Sequence, residues 1–229
     1  VTSTVQANTT AGFSIVTYTG NGSDGGSIGH GLSGAWDVII VKNRGQTDYW
    51  TVDREPTNAN NKALLLHDPS GQSGHGTIHF QGSNGLFTAH SNGDLGMGNA
   101  SGETYVAYVF KQIQGYSKFG TYKGNGNADG PFIYTGFKPA WVLGKNATSN
   151  GNHWFMNDNK RGGNGGANWI KADSNAAELT NLTNPDILSN GFKIRNSDAI
   201  YNTNGSSYIY MAFAENPFVT SKGAAVTAK

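Results

Sequence analysis

The chain has 229 residues, of which 33 are glycine and none cysteine, with 14% charged residues and a net charge of +1. The absence of cysteine excludes disulfides, zinc–thiolate centres and thiol nucleophiles, and a balanced charge without a basic run gives no footprint for nucleic acid. No apolar stretch reaches the ~18 residues of a membrane-spanning helix, and 11% aromatic residues with so little charge argue against disorder and for short strands joined by tight turns.

In chain order, residues 1–10 are rich in Thr, Asn and Ser without apolar periodicity and read as a linker or arm. A start at valine reads as a processed terminus or as the continuation of a longer protein. Phe13 to Tyr18 predicts a strand that ends in the turn Gly20-Asn21-Gly22, because glycine supplies positive φ without steric cost. Trp36 to Val41 and Tyr105 to Phe110 are nearly continuously apolar, as is Tyr208 to Phe213. Such runs bounded by turn residues predict strands buried on both faces. Tyr49 to Val52, Ala63 to Leu66, Thr77 to Phe80 and Leu86 to His90 are shorter candidates. Asn175 to Leu182 is the one candidate helix, with Asn175 as cap and Glu178 three residues on.

Self-comparison reveals a duplication. Tyr18-Thr-Gly20-Asn21-Gly22 returns as Tyr122-Lys-Gly124-Asn125-Gly126 (122 − 18 = 104), and Trp50 returns as Trp154 (154 − 50 = 104). Ala35-Trp36 returns as Ala140-Trp141, Lys42-Asn43 as Lys145-Asn146, Asn84-Gly85 as Asn190-Gly191, and Gly102-x-x-Tyr105 as Gly205-x-x-Tyr208. About seven strands per copy is the count of a two-sheet sandwich. The expected fold is all-β: two tandem, jelly-roll-like β-sandwich units spanning 11–112 and 115–218, with a loose tail at 219–229. One sandwich shared between the copies is the alternative.

Several motifs have a chemical and a bland reading. Gly20-x-Gly22-x-x-Gly25 fits a dinucleotide loop and Gly25-x-Ser27-x-Gly29 a hydrolase elbow, but both need a following helix that is not predicted here. His75 and His79 would lie ~13 Å apart on a strand, too far to share a metal. Asn21, Asp24, Asn125 and Asp129 offer oxygens to calcium, although the same residues suit tight turns. Tyr49, Trp50, His153, Trp154 and Trp169 are candidate stacking residues for a glycan, with core packing as the competing reading. Asp37, Asp48, Asp53, Glu55 and Glu103 show no spacing that points to a glycosidase pair.

Tyr18-Thr-Gly-Asn-Gly22, Ile40-Val-Lys-Asn-Arg44, Gly115-Tyr-Ser-Lys-Phe119, the block Asp129-Gly-Pro-Phe132-Ile-Tyr-Thr-Gly-Phe137-Lys-Pro-Ala-Trp141, Leu188-Ser-Asn-Gly-Phe192-Lys-Ile-Arg-Asn196 and Tyr208-Ile-Tyr-Met-Ala-Phe213 resemble a domain of unknown function. That domain occurs in structural proteins of tailed, often marine, bacteriophages, and the resemblance covers about Gly12 to Phe218. It implies a non-enzymatic virion protein: a tail fibre or appendage at the virion surface, or a capsid decoration protein. It implies no catalytic residue and no cofactor. The expected partners are further copies of the chain in a homo-oligomer (a trimer by analogy), other virion proteins and host surface glycan, with neither nucleic acid nor membrane. A carbohydrate-binding module is the alternative from another class, and a glycan depolymerase the third.

Overall fold

A computed structural model describes residues 1–47, 50–54, 63–72, 80–89, 98–161, 168–180 and 185–217. Strands are numbered in chain order. The chain divides into two compact units, the first built from Val1–His67 and Gln72–Gln112, the second from Asp68–Gly71 and Ile113–Lys229. The two units have matching sheets, so the sequence duplication is a duplication of fold.

In unit 1 the larger sheet runs β1 (Ser3–Asn8), β2 (Phe13–Thr19), β9 (Thr104–Phe110), β4 (Val38–Asn43), β5 (Trp50–Arg54) and β6 (Leu64–Leu65), and all its pairs are antiparallel. The smaller sheet runs β3 (Gly26–Gly29), β8 (Leu86–Ala89) and β7 (Phe80–Ser83). Alternation decides which side chains meet. On β2, Ser14, Val16 and Tyr18 point inward; on β9, Tyr105, Ala107 and Val109 do. They close on Ile28, Phe80, Phe87 and Ala89 of the smaller sheet, with Leu32 and Trp36 filling one end.

Unit 2 repeats the order without the leading strand. Its larger sheet runs β10 (Ser117–Lys123), β17 (Ser207–Ala214), β12 (Pro139–Asn146), β13 (Phe155–Asp158) and β14 (Ile170–Lys171). Its smaller sheet runs β11 (Phe132–Tyr134), β16 (Gly191–Lys193) and β15 (Asp186–Leu188). Tyr122, Val142, Phe155, Tyr208 and Tyr210 pack against Ile133, Ile187 and Phe192 across the sandwich.

Four expectations need correction. Residues 3–8 are no loose arm: β1 pairs with β2 along its whole length, from Ser3↔Tyr18 to Asn8↔Phe13. Strand β3, hidden in a glycine-rich stretch, brings the count among the described residues to eight per unit beside β1. The helix lies at α1 (Ala199–Asn202), capped by the Asp198 side chain on the Ile200 N–H, whereas Leu179 bridges Trp169. β9 is not buried on both faces, since Val106, Tyr108 and Phe110 are half-exposed.

The two equivalent edges are treated differently. β2 carries no charge and is covered by β1. β10 ends its sheet among the described residues, and it carries Lys118 and Lys123. Lysines on an edge strand discourage a further strand from adding.

Candidate functional site

The buried polar side chains serve the fold, and they do so twice over. Tyr18 stacks on Tyr105 with ring centroids 5.0 Å apart, and its hydroxyl donates to the Gly98 carbonyl. Tyr122 stacks on Tyr208 at 4.8 Å and donates to the Tyr201 carbonyl. The Tyr105 hydroxyl accepts from the Ala100 N–H and the Asn43 amide; the Tyr208 hydroxyl accepts from the Thr203 N–H and the Asn146 amide. Burial raises the pKa of all four phenols, so they stay protonated. Asn99 and Asn202, both fully buried, close the knot by accepting the N–H of Asn21 and of Asn125. The turns run too close for a side chain: a Cβ on Gly20 would lie 2.2 Å from the Ala100 oxygen, and one on Gly124 2.2 Å from the Thr203 oxygen.

These bonds occupy the candidate calcium ligands. The Asn21 side-chain oxygen accepts from the Ser23 N–H and the Asn99 amide. The Asn125 oxygen accepts from the Asn127 N–H and the Asn202 amide. Asp129 pairs with Lys193 at 2.9 Å and with Arg195 at 3.8 Å; the hydrogen bond from Lys193 holds its carboxyl below the usual range. Asp24 sits exposed in the first turn. Among the described residues no three acidic or histidine side chains cluster as a metal site would require.

The candidate glycan residues are not brought together as an open surface. Trp154 and Trp169 are 1% and 2% exposed and present no ring face to a sugar. Trp50 is half-buried and stacks on Tyr108 at 6.4 Å. His153 Nδ1 lies 3.0 Å from Asp173, whose side chain is buried and also accepts the Trp154 N–H. Tyr49 lies outside the described residues, as do His75 and His79.

Among the described residues, the acids singled out in the sequence are engaged as hydrogen-bond acceptors. Asp37 accepts the Gln112 N–H; Asp53 accepts the N–H groups of Arg54 and Phe80; Glu103 accepts from Gln46. Asp48 and Glu55 lie outside the described residues. In unit 2 the fully buried Lys145 donates to the carbonyls of Pro69 and Asn146. Burial lowers its pKa to about 8, opposed by attraction to Asp173 and Asp68. Neither Lys145 nor Asp173 exposes a side chain through which substrate could reach it. Ser27 is on β3 with its hydroxyl 3.5 Å from Thr88, and no helix follows it. The hydrolase and dinucleotide motifs are therefore turn and strand residues.

One surface stands apart. Phe132 and Tyr134 of β11 are 45% and 64% exposed, the only exposed aromatic rings among the described residues. Two residues apart on a strand, they share one face. Phe132 lies opposite Lys193, which lies opposite Asp186; Tyr134 lies opposite Gly191, which lies opposite Leu188. Arg195 bridges Asp186 and Asp129 at the border of this face.

A family model, described as a domain of unknown function (DUF7483), matches residues 1–217, from β1 to beyond the end of β17. The chain belongs to the DUF7483 family. No curated protein and no solved structure matches it. The DUF7483 match takes in both units and the leading strand β1, in keeping with the pairing of β1 along β2.

Sequence reasoning passed over Phe132 and Tyr134 as part of a long block. Comparison of the copies carries the signal. Ser27-Ile28-Gly29 of the first copy stands where Phe132-Ile133-Tyr134 of this DUF7483 domain stands in the second. Ile28 and Ile133 are both core residues, whereas their neighbours change from small to aromatic.

Proposed function

We propose that this chain is a non-enzymatic structural module of a tailed-phage particle, in a fibre or other surface appendage, that faces the host cell. The observation that carries the reading is the duplicated sandwich, whose buried tyrosines and asparagines are committed to their own backbone in both units. That is the economy of a rigid module. The sequence resemblance to structural proteins of tailed phages supports the particle context.

A carbohydrate-binding module is the second reading, favoured by the exposed Phe132 and Tyr134. Light scattering on the purified chain tests the first. The expected mass is a closed oligomer, near three times 24.2 kDa for a trimeric fibre. A monomer at every concentration would count against a self-assembling fibre.

A further inference from the structure

We propose that the outer face of β11, β16 and β15 in unit 2 is a binding site for a neutral carbohydrate, with Phe132 and Tyr134 as the stacking residues. The ligand class rests on the host-surface reading above. A pyranose has an apolar C–H face and a rim of hydroxyls, so its site combines an open aromatic ring with fixed donors and acceptors beside it. This face has both.

The Cα atoms that carry the rings are about 6.8 Å apart along the strand. Across the sheet, Tyr134 and Leu188 flank Gly191. Two strand spacings separate the flanking residues by about 10 Å. Gly191 between them is buried and leaves no room for a side chain: a Cβ there would lie 2.1 Å from the Ile133 oxygen and 3.0 Å from the edge of the Phe132 ring. The Phe132 ring therefore leans over bare backbone.

The polar border is already ordered. Asp129 is held by Lys193 and Arg195, and Asp186 by Arg195. Side chains fixed by one another lose little freedom when a ligand arrives. The four charges are two acids and two bases, so the border offers hydrogen bonds without net charge. This selects neutral sugars over acidic polysaccharide.

The fold does not require the aromatics. In unit 1 the equivalent positions are Ser27 and Gly29, and β1 closes that flank, with the Val1 ammonium donating to the Ser27 carbonyl and the Ser3 hydroxyl to the Gly29 carbonyl. Unit 2 has no strand equivalent to β1 among its described residues, and places two exposed rings there instead.

The test probes the full chain on an array of neutral and acidic bacterial-surface oligosaccharides, then repeats it with Phe132→Ala, Tyr134→Ala, the two combined, and Trp50→Ala. The expected result is binding to a neutral glycan, weakened at least tenfold by either unit 2 substitution and unchanged by Trp50→Ala. Binding that survives the double substitution, or depends on Trp50, overturns the site. Binding only to acidic glycans, or to none, overturns the ligand class. An oligomer by light scattering that binds no glycan would separate this failure from failure of the structural reading.

Discussion

The Tyr208 hydroxyl sits between three groups of unit 2: it accepts from the Thr203 N–H at 2.7 Å and the Asn146 amide at 3.2 Å, and it donates to the Ala199 carbonyl at 2.7 Å. Tyr208→Phe keeps the stacking on Tyr122 and takes the hydroxyl from all three, leaving the Thr203 N–H without it while the Asn146 amide still donates to the Ala199 carbonyl. Leaving buried polar groups unpaired costs about 1–3 kcal/mol. The expected outcome in urea titration is a loss in that range with the slope unchanged. A loss below measurement error would mean that water replaces the hydroxyl.

His30 is expected to make the folded chain acid-sensitive. It is fully buried, its Nδ1 accepts the Leu32 N–H, and its Nε2 has no partner among the described residues. Burial, with Lys111 nearby, lowers its pKa. The unfolded chain binds a proton near pH 6.5 while the folded one resists it, so stability falls as pH drops through about 6.5. In unit 2 the same position is Thr135, whose hydroxyl takes the equivalent N–H, that of Phe137. His30→Thr is expected to flatten the dependence of the unfolding midpoint between pH 7 and pH 5. An unchanged slope would assign the acid sensitivity elsewhere.

Lys145 acts in the same direction in a more alkaline window. Its folded pKa of about 8 lies below the ordinary lysine value of 10.5. Between those values the unfolded chain holds the extra proton, so this residue's contribution to stability rises with pH across that window. Lys145→Met removes the titration. The variant is expected to gain on the native chain more at pH 7 than at pH 10, measured by parallel denaturant titrations. A difference independent of pH would show that the amine titrates alike in the folded and unfolded chain, so that burial does not lower its pKa.

The edge of β10 supplies a test of solubility. Replacing Lys118 with Ser and Lys123 with Thr reproduces the residues of β2, Ser14 and Thr19. Without the lysines the edge is free to pair with another copy. Sedimentation velocity is expected to show added, concentration-dependent association. A profile identical to that of the native chain would mean that the edge is guarded by other means.

Much of the architecture is legible because it rests on local pattern. Alternating apolar residues mark β2 and β9, and the glycine turns mark where they end. Features set by contacts distant in sequence are harder to read. β3 has four residues, two of them glycine, and exists because β8 pairs with it. The second-copy partner of Gly85 is Asn190, not Gly191: the His30 N–H donates to the Gly85 carbonyl and the Thr135 N–H to that of Asn190. The motif match is one residue out because identity followed glycine while the hydrogen bonds followed position. Trp154 and Trp169 have polar neighbours in sequence, yet the fold folds over both rings. Phe132 and Tyr134 sit among hydrophobic and glycine residues and end outside, because only Ile133 between them faces the second sheet.

Unit 2 contains Asp68–Gly71, a segment numbered within the span of the first copy. Those residues supply the Pro69 carbonyl to Lys145 and the Gly71 N–H to Asn150. The stretch that was duplicated and the stretch that folds are therefore different objects. A gene cut at Gln112 would separate two complete repeats and leave the second sandwich short of a loop. Recombination could not shuffle such halves freely once that loop had been adopted, and the pair would be inherited together.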